Sequence, residues 1–327
     1  MAKVERFKEI DILRGLGIFF IIVVHTASYY LFDKTAFFLW NYSQFAVPIF
    51  VFCSCFLFLK KREEYTIGRF FFYAKKRLYR LLKPYYIFLL FYLPVVWVWD
   101  PKKANVFWTI KEATLTTGGT EINWAVLLFV FISLMMPPLL YLLQKRGAFF
   151  YFYVFLSLVS CILFLFVQLP LNFRLLMWLP WSLIILFSWF LVAYEKRQWF
   201  YPTTILVSGL VFLYLTYFLK SQGRSLIFID NKYPPNLYFL SYGIFATTIL
   251  YLLDKRGFFT VALLRRPINF LSQNSYSIFF IHLFLIVFTA AFFNVRVLLW
   301  WQFFLLVFTV TIVIQVALGV VGKAFVK

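Results

Sequence analysis

Two histidines, His25 and His282, are the whole imidazole complement of this 327-residue chain, and each lies roughly eleven residues inside a long apolar run. A titratable ring is costly in hydrocarbon and marks chemistry there more often than packing. Arg14 precedes His25 by eleven residues. At 3.6 residues per turn this is close to three full turns, so both side chains share one helix face about 16 Å apart along the axis. Asp11, one turn before Arg14, can pair with the guanidinium and hold it in one pose. His282 closes the segment Asn274-Ser275-Tyr276-Ser277-Ile278-Phe279-Phe280-Ile281-His282. Ser275, His282 and Thr289 recur every seven residues, a polar stripe that belongs toward other helices rather than lipid.

The chemistry these residues suit is proton transfer or acyl transfer inside a bilayer. No Asp or Glu sits centrally in any apolar run, and neither a Gly-rich phosphate loop nor a nucleophile elbow occurs. The remaining general base for neutral pH is imidazole, with its ordinary pKa of about 6.5. A second constellation is Lys75-Lys76-Arg77-Leu78-Tyr79-Arg80-Leu81-Leu82-Lys83-Pro84. Arg77 and Arg80 are one turn apart and can grip one anionic group together, and arginine forks suit phosphate oxygens. Plainer readings exist: a snorkelling anchor for Arg14, a packing histidine at 25 and a packing stripe around His282, and headgroup contact for the polybasic segment.

The elements that must position these groups are membrane helices. The chain is 64% hydrophobic and 24% aromatic, far above the roughly 45–50% apolar content of soluble domains. Apolar runs of spanning length lie at 15–32, 43–59, 84–99, 124–143, 149–168, 178–194, 200–219, 237–253, 272–292 and 297–321. The expected fold is all-α: a polytopic bundle of about ten transmembrane helices. Basic residues in short loops stay on the cytoplasmic side. With the N-terminus inside, the inner segments carry Lys3, Arg6, Lys8 and Arg14, the run from Lys60 to Lys83, and the pairs Lys145/Arg146, Lys196/Arg197, Lys255/Arg256, Arg265/Arg266 and Lys323/Lys327. The outer segments are poorer, so both termini are expected in the cytoplasm. The net charge of +20 then reads as topology and contact with anionic lipid, not nucleic acid.

The first apolar run has no obvious cleavage site and is expected to remain as a span. Cys53, Cys55 and Cys161 indicate neither a disulfide framework nor a metal site. Residues 1–327 are expected to form one membrane domain with no appended soluble domain. The polar stretch 100–123, with Thr116, Thr117, Gly118, Gly119, Thr120, Glu121 and Asn123, could cover an outward-opening site or simply connect two spans. Trp108, Trp124, Tyr233 and Tyr238 in or beside the outer loops could stack on sugars.

Four segments resemble the membrane-bound acyltransferase family three, the polytopic O-acylases of bacterial surface polysaccharides. Asp11-Ile12-Leu13-Arg14-Gly15-Leu16 followed by His25 is similar to that family's arginine, ten-residue spacer, histidine signature. Val47-Pro48-Ile49-Phe50-Val51-Phe52-Cys53-Ser54 resembles its second span, although Cys55 follows where the family usually has glycine. Arg77-Leu78-Tyr79-Arg80 with Pro84-Tyr85-Tyr86 resembles its paired-arginine loop, and Ser275-Tyr276-Ser277 through His282 its late Ser-Tyr and His motif. The resemblance implies a multi-pass enzyme of the inner (cytoplasmic) membrane. It would take an acyl group from acyl-CoA, usually acetyl-CoA, and transfer it to a hydroxyl of a cell-surface or lipid-linked glycan. Arg14 and His25 would be the essential catalytic pair with His282 as partner, Arg77 and Arg80 would contact the donor, and Asp11, Ser275 and Tyr276 would support them. No permanently bound cofactor and no metal are implied. Two other readings fit the residues: a polysaccharide or lipid-carrier transporter or flippase without covalent chemistry, and an inactive subunit of a polysaccharide assembly machine. Acceptor, acyl group, direct versus relayed transfer and oligomeric state stay open at the level of sequence.

Overall fold

An apolar stretch in lipid must satisfy every backbone donor and acceptor within itself, which leaves the helix. In the computed structural model, which describes residues 7–61, 67–116, 122–145, 147–167 and 172–324, the runs read from hydropathy are helices. Lys3, Arg6, Arg62, Arg146 and Lys327 of the orienting charges, and residues 117–121 of the polar tract, lie outside the described residues. Among the described residues ten helices are long and apolar enough to cross a membrane: α1 Lys8–Tyr30, α2 Lys34–Lys60, α3 Arg69–Trp99, α4 Asn123–Leu142, α5 Ala148–Phe166, α6 Phe173–Tyr194, α7 Phe200–Ser221, α8 Leu237–Lys255, α9 Ser275–Phe292 and α10 Trp300–Val320.

The center of the bundle is α1, which packs against α2, α8, α9, α10 and a short helix, Ala262–Gln273, that leads into α9. Between membrane helices there is little hydrophobic drive, so close approach depends on small residues. Gly15 supplies it here: a Cβ at that position would lie 2.3 Å from the Ile268 carbonyl oxygen. Gly243 of α8 likewise faces Pro48 of α2, where a Cβ would come within 2.5 Å of the proline ring. By contrast only 17% of α7 and 22% of α10 is buried, as in lipid-facing helices.

Two spans depart from their expected form. The α2 helix starts at Lys34, capped by Asp33, whose Oδ1 accepts from the Ala36 amide at 2.8 Å, and it is interrupted by a 3-10 segment at Ser43–Phe45. Pro48 explains the interruption, because it donates no amide hydrogen and its ring crowds the carbonyl four residues back, at Gln44. The segment around Arg77 and Arg80, read as an inner loop, is the first half of one 33-residue helix, Ile67–Trp99, with Pro84 inside it. At 1.5 Å per residue that helix is about 50 Å long, more than the roughly 30 Å of hydrocarbon, so its basic first half extends the span instead of linking two spans.

The two ends of the bundle differ. At the basic end Lys60 is ion-paired with Glu195, which also accepts from Tyr251 at 3.1 Å, while Lys255 donates to the Glu195 carbonyl and to Tyr201. This ties the ends of α2, α6, α7 and α8 together. At the far end the loop 222–236 folds back onto the bundle, with the Phe228 amide donating to Asn41 at 2.8 Å and Lys232 donating to Gln44 at 2.9 Å.

Candidate active site

The two histidines meet. His25 Nδ1 lies 2.9 Å from His282 Nε2, across 257 residues of sequence, and the rings are tilted only 10° from parallel. Phe279, one turn before His282, sets its ring against both. The α9 helix fixes the direction of the bond. His282 Nδ1 lies 2.9 Å from the Ile278 carbonyl of its own helix, and a carbonyl only accepts, so that nitrogen carries the hydrogen. In the neutral pair His282 Nε2 is then an acceptor, His25 Nδ1 must donate to it, and the lone pair of the dyad is left on His25 Nε2. His282 is fully buried, whereas His25 is only partly so. The basic nitrogen is therefore carried by the less buried of the two residues.

The stripe read from Ser275, His282 and Thr289 is oriented inward at its first two members, both buried. The Thr289 hydroxyl donates instead to the Leu285 carbonyl of its own helix at 2.7 Å. Tyr276 donates to the Leu81 carbonyl at 2.6 Å and so locks α9 to the basic half of α3. Asp11 accepts from Ser272 at 3.3 Å, which ties α1 to the helix entering α9. Among the described residues Asp11 and Arg14 form no ion pair: the carboxylate spans two helices rather than gripping its neighbor one turn on.

Arg77 and Arg80 do not act as a matched fork. Arg77 turns into the bundle, where Nε donates to Ser133 Oγ of α4 at 3.1 Å and Nη2 lies 3.5 Å from Ser54 Oγ of α2, while Arg80 is exposed. Arg14 of α1 and Arg77 and Arg80 of α3 belong to the basic end of the bundle, and among the described residues none has a carboxylate within ion-pair distance. Positive charge without a carboxylate partner can attract an anion.

Beyond the histidines, toward the far end, lies a group that sequence reading did not single out. Lys232 is buried, with its amine over the rings of Trp124 at 5.1 Å and Tyr233 at 5.2 Å. Trp124 and Tyr233 themselves meet edge to face at 5.0 Å. Nearby, Arg174 is buried on Asn123, and Asn123 and Tyr85 converge on Glu112. Of the aromatics proposed to stack on sugars, Trp124 and Tyr233 come together here. Tyr238 is stacked on Phe228 and Phe212 in the core, and Trp108 lies under Lys103. Only the aromatic richness of these loops hinted at the cluster; a lysine in a loop reads as solvated until the fold covers it.

Basic residues at one end of the bundle, the imidazole dyad between α1 and α9, and an aromatic cluster with a buried lysine at the other end are thus the polar groups of the bundle. Searches among curated proteins and among solved structures give no match. The family model described as an acyltransferase domain matches residues 7–319, nearly the whole chain, and the protein belongs to acyltransferase family 3, as a multi-pass membrane acyltransferase.

Proposed function

We propose that the protein transfers an acyl group, acetyl in the simplest case, from acyl-CoA at the cytoplasmic face of the inner membrane to a hydroxyl of a cell-surface or lipid-linked glycan. Arg14, Arg77 and Arg80 hold the phosphates of the donor, and the pantetheine arm reaches along α1 toward His25, a distance of about 16 Å for eleven helical residues. His25 Nε2 accepts the proton of the acceptor hydroxyl as its oxygen attacks the thioester carbonyl. The C–S bond breaks, and the CoA thiolate takes the proton back from His25. His282 keeps His25 in the one tautomer that presents a basic Nε2 and disperses the charge that develops on it.

The observation that carries this reading is the 2.9 Å contact between the rings, directed by the Ile278 carbonyl. The test is release of free CoA thiol by purified protein, dependent on a glycan acceptor. His25→Ala should lower turnover by about 10²–10⁴-fold, the usual worth of a general base, while the protein elutes from gel filtration in detergent as the wild type does. His282→Ala should cost less, on the order of tenfold, because it frees the tautomer without removing the base. Full turnover in His25→Ala would sink the mechanism, and no acceptor-dependent thiol release from the wild type would sink the activity and favor a carrier without covalent chemistry. Mass spectrometry of surface glycans with and without the gene then identifies acyl group and acceptor together.

A further inference from the structure

Among the described residues three charged side chains are buried: Glu112, Arg174 and Lys232. Arg174 donates to Asn123 Oδ1, and the Tyr85 hydroxyl lies 3.4 Å from the Glu112 carboxylate, so each has a polar side chain against its charge. Lys232 is different. It is 5% exposed, its amine has three N–H donors, and among the described residues its one hydrogen bond is to Gln44 Oε1 at 2.9 Å. The amine also lies over the ring faces of Trp124 and Tyr233. Among the described residues no carboxylate lies within ion-pair distance of it. The lysines of the basic end, Lys60 and Lys255, both rest on Glu195. An uncompensated buried ammonium is expensive, and a methionine of similar length would fill the space without that cost.

The location suggests what the amine is for. Gln44 stands in the 3-10 break of α2, which packs directly against α1, the helix carrying His25. The amine also lies at the end of the bundle opposite the arginines, so the donor phosphates have their own cations. Two aromatic rings and one cation, bonded through Gln44 to the segment that packs on the His25 helix, are the elements of a sugar subsite that reads an anionic substituent.

We infer that Lys232, with Gln44, Trp124 and Tyr233, forms the acceptor subsite and selects glycans bearing a carboxylate or phosphate beside the hydroxyl to be acylated. The inference rests on the acyltransferase reading for its biological meaning, but not for its measurement. Burial pushes the Lys232 amine down to about 7, and an anion seated on it would return the solvation the fold removes.

Binding of three soluble probes to the full-length protein in detergent tests this: methyl β-glucuronide for a carboxylate, glucose 1-phosphate for a phosphate and methyl β-glucoside as the neutral control. Wild type should prefer one or both anionic probes, and which one tells a uronic acid from a sugar phosphate. Lys232→Met should weaken the preferred anion by about tenfold or more, as loss of a desolvated charge partner does, while the neutral glycoside changes little. Lys232→Arg should restore most of the preference, which separates charge recognition from packing, and melting temperatures show whether each variant is folded. Equal binding of charged and neutral probes, no binding of any, or a preference that survives in Lys232→Met would overturn the subsite. Thiol release from acetyl-CoA, recorded on the same samples, is independent: an anion preference without acyl transfer would keep the subsite and discard the activity.

Discussion

At the scale of single residues, hydrogen-bond direction turns two ordinary histidines into an asymmetric pair. The Ile278 carbonyl, held in the α9 helix, has no freedom to donate, and this one constraint passes through both rings to leave a lone pair on His25 Nε2. The arginines divide in the same way by partner. Arg80 is exposed and Arg77 is anchored on Ser54 and Ser133. Arg80→Ala should therefore raise the KM for acetyl-CoA, on the order of several-fold to tenfold for one lost phosphate contact, and leave the melting temperature unchanged. Arg77→Ala should raise KM and also lower stability by about 1 kcal/mol through its lost hydroxyl contacts. Arg77→Lys should rescue neither property fully, since a single ammonium does not reproduce a planar fork between two helices. Steady-state kinetics with thermal melts of both variants check this division; equal stability of Arg77→Ala and wild type would show that the anchoring does not matter.

At the scale of elements, what positions the dyad is the seam between α1 and the helix Ala262–Gln273. Gly15 lets the two backbones touch, Asp11 bonds Ser272 a few residues away, and the chain then turns directly into α9 with His282. Asn274 at the junction accepts from Gln315 of α10 at 2.9 Å, so the start of α9 is held from a second side. A methyl group at position 15 must push against a backbone carbonyl, which cannot swing away as a side-chain tip can. Gly15→Ala should destabilize the protein by about 1–3 kcal/mol, the usual cost of overpacking, and depress turnover through the displaced histidines. Gly319→Ala in α10, where an added Cβ meets nothing within 4 Å, is the matched control and should melt no lower than wild type. If the two variants melt alike, the seam does not control the position of α9.

At the scale of the whole molecule, function requires that the arginine end and the Lys232 end face different compartments. The proposal puts the basic end in the cytoplasm with both termini, and cysteine labeling reads this directly. The native Cys53, Cys55 and Cys161 are buried, so a membrane-impermeant maleimide should report only introduced thiols. Lys102→Cys and Gln222→Cys, at exposed positions of the far end, should be labeled in intact cells or spheroplasts. Lys196→Cys, exposed at the basic end, should react only after permeabilization. The reverse pattern would place the donor site outside and remove acyl-CoA as its ligand.

The sequence by itself determined the ten spans, because length and apolarity are local properties and a helix is the only local solution in lipid. It also determined that Arg14 and His25 share a face, since helical periodicity sets that without any partner, and that His282 belongs at a comparable depth. It misassigned the form of the Arg77 segment, where a continuous helix replaces a loop because neither Pro84 nor the cluster of basic side chains is enough to end a helix held by its neighbors. Only the tertiary structure decided that His25 touches His282, that Asp11 serves Ser272 rather than Arg14, and that Lys232 is covered. Each of these depends on the packing of elements far apart in the chain, and the distance at which two side chains meet is a property of that packing, not of their spacing in sequence.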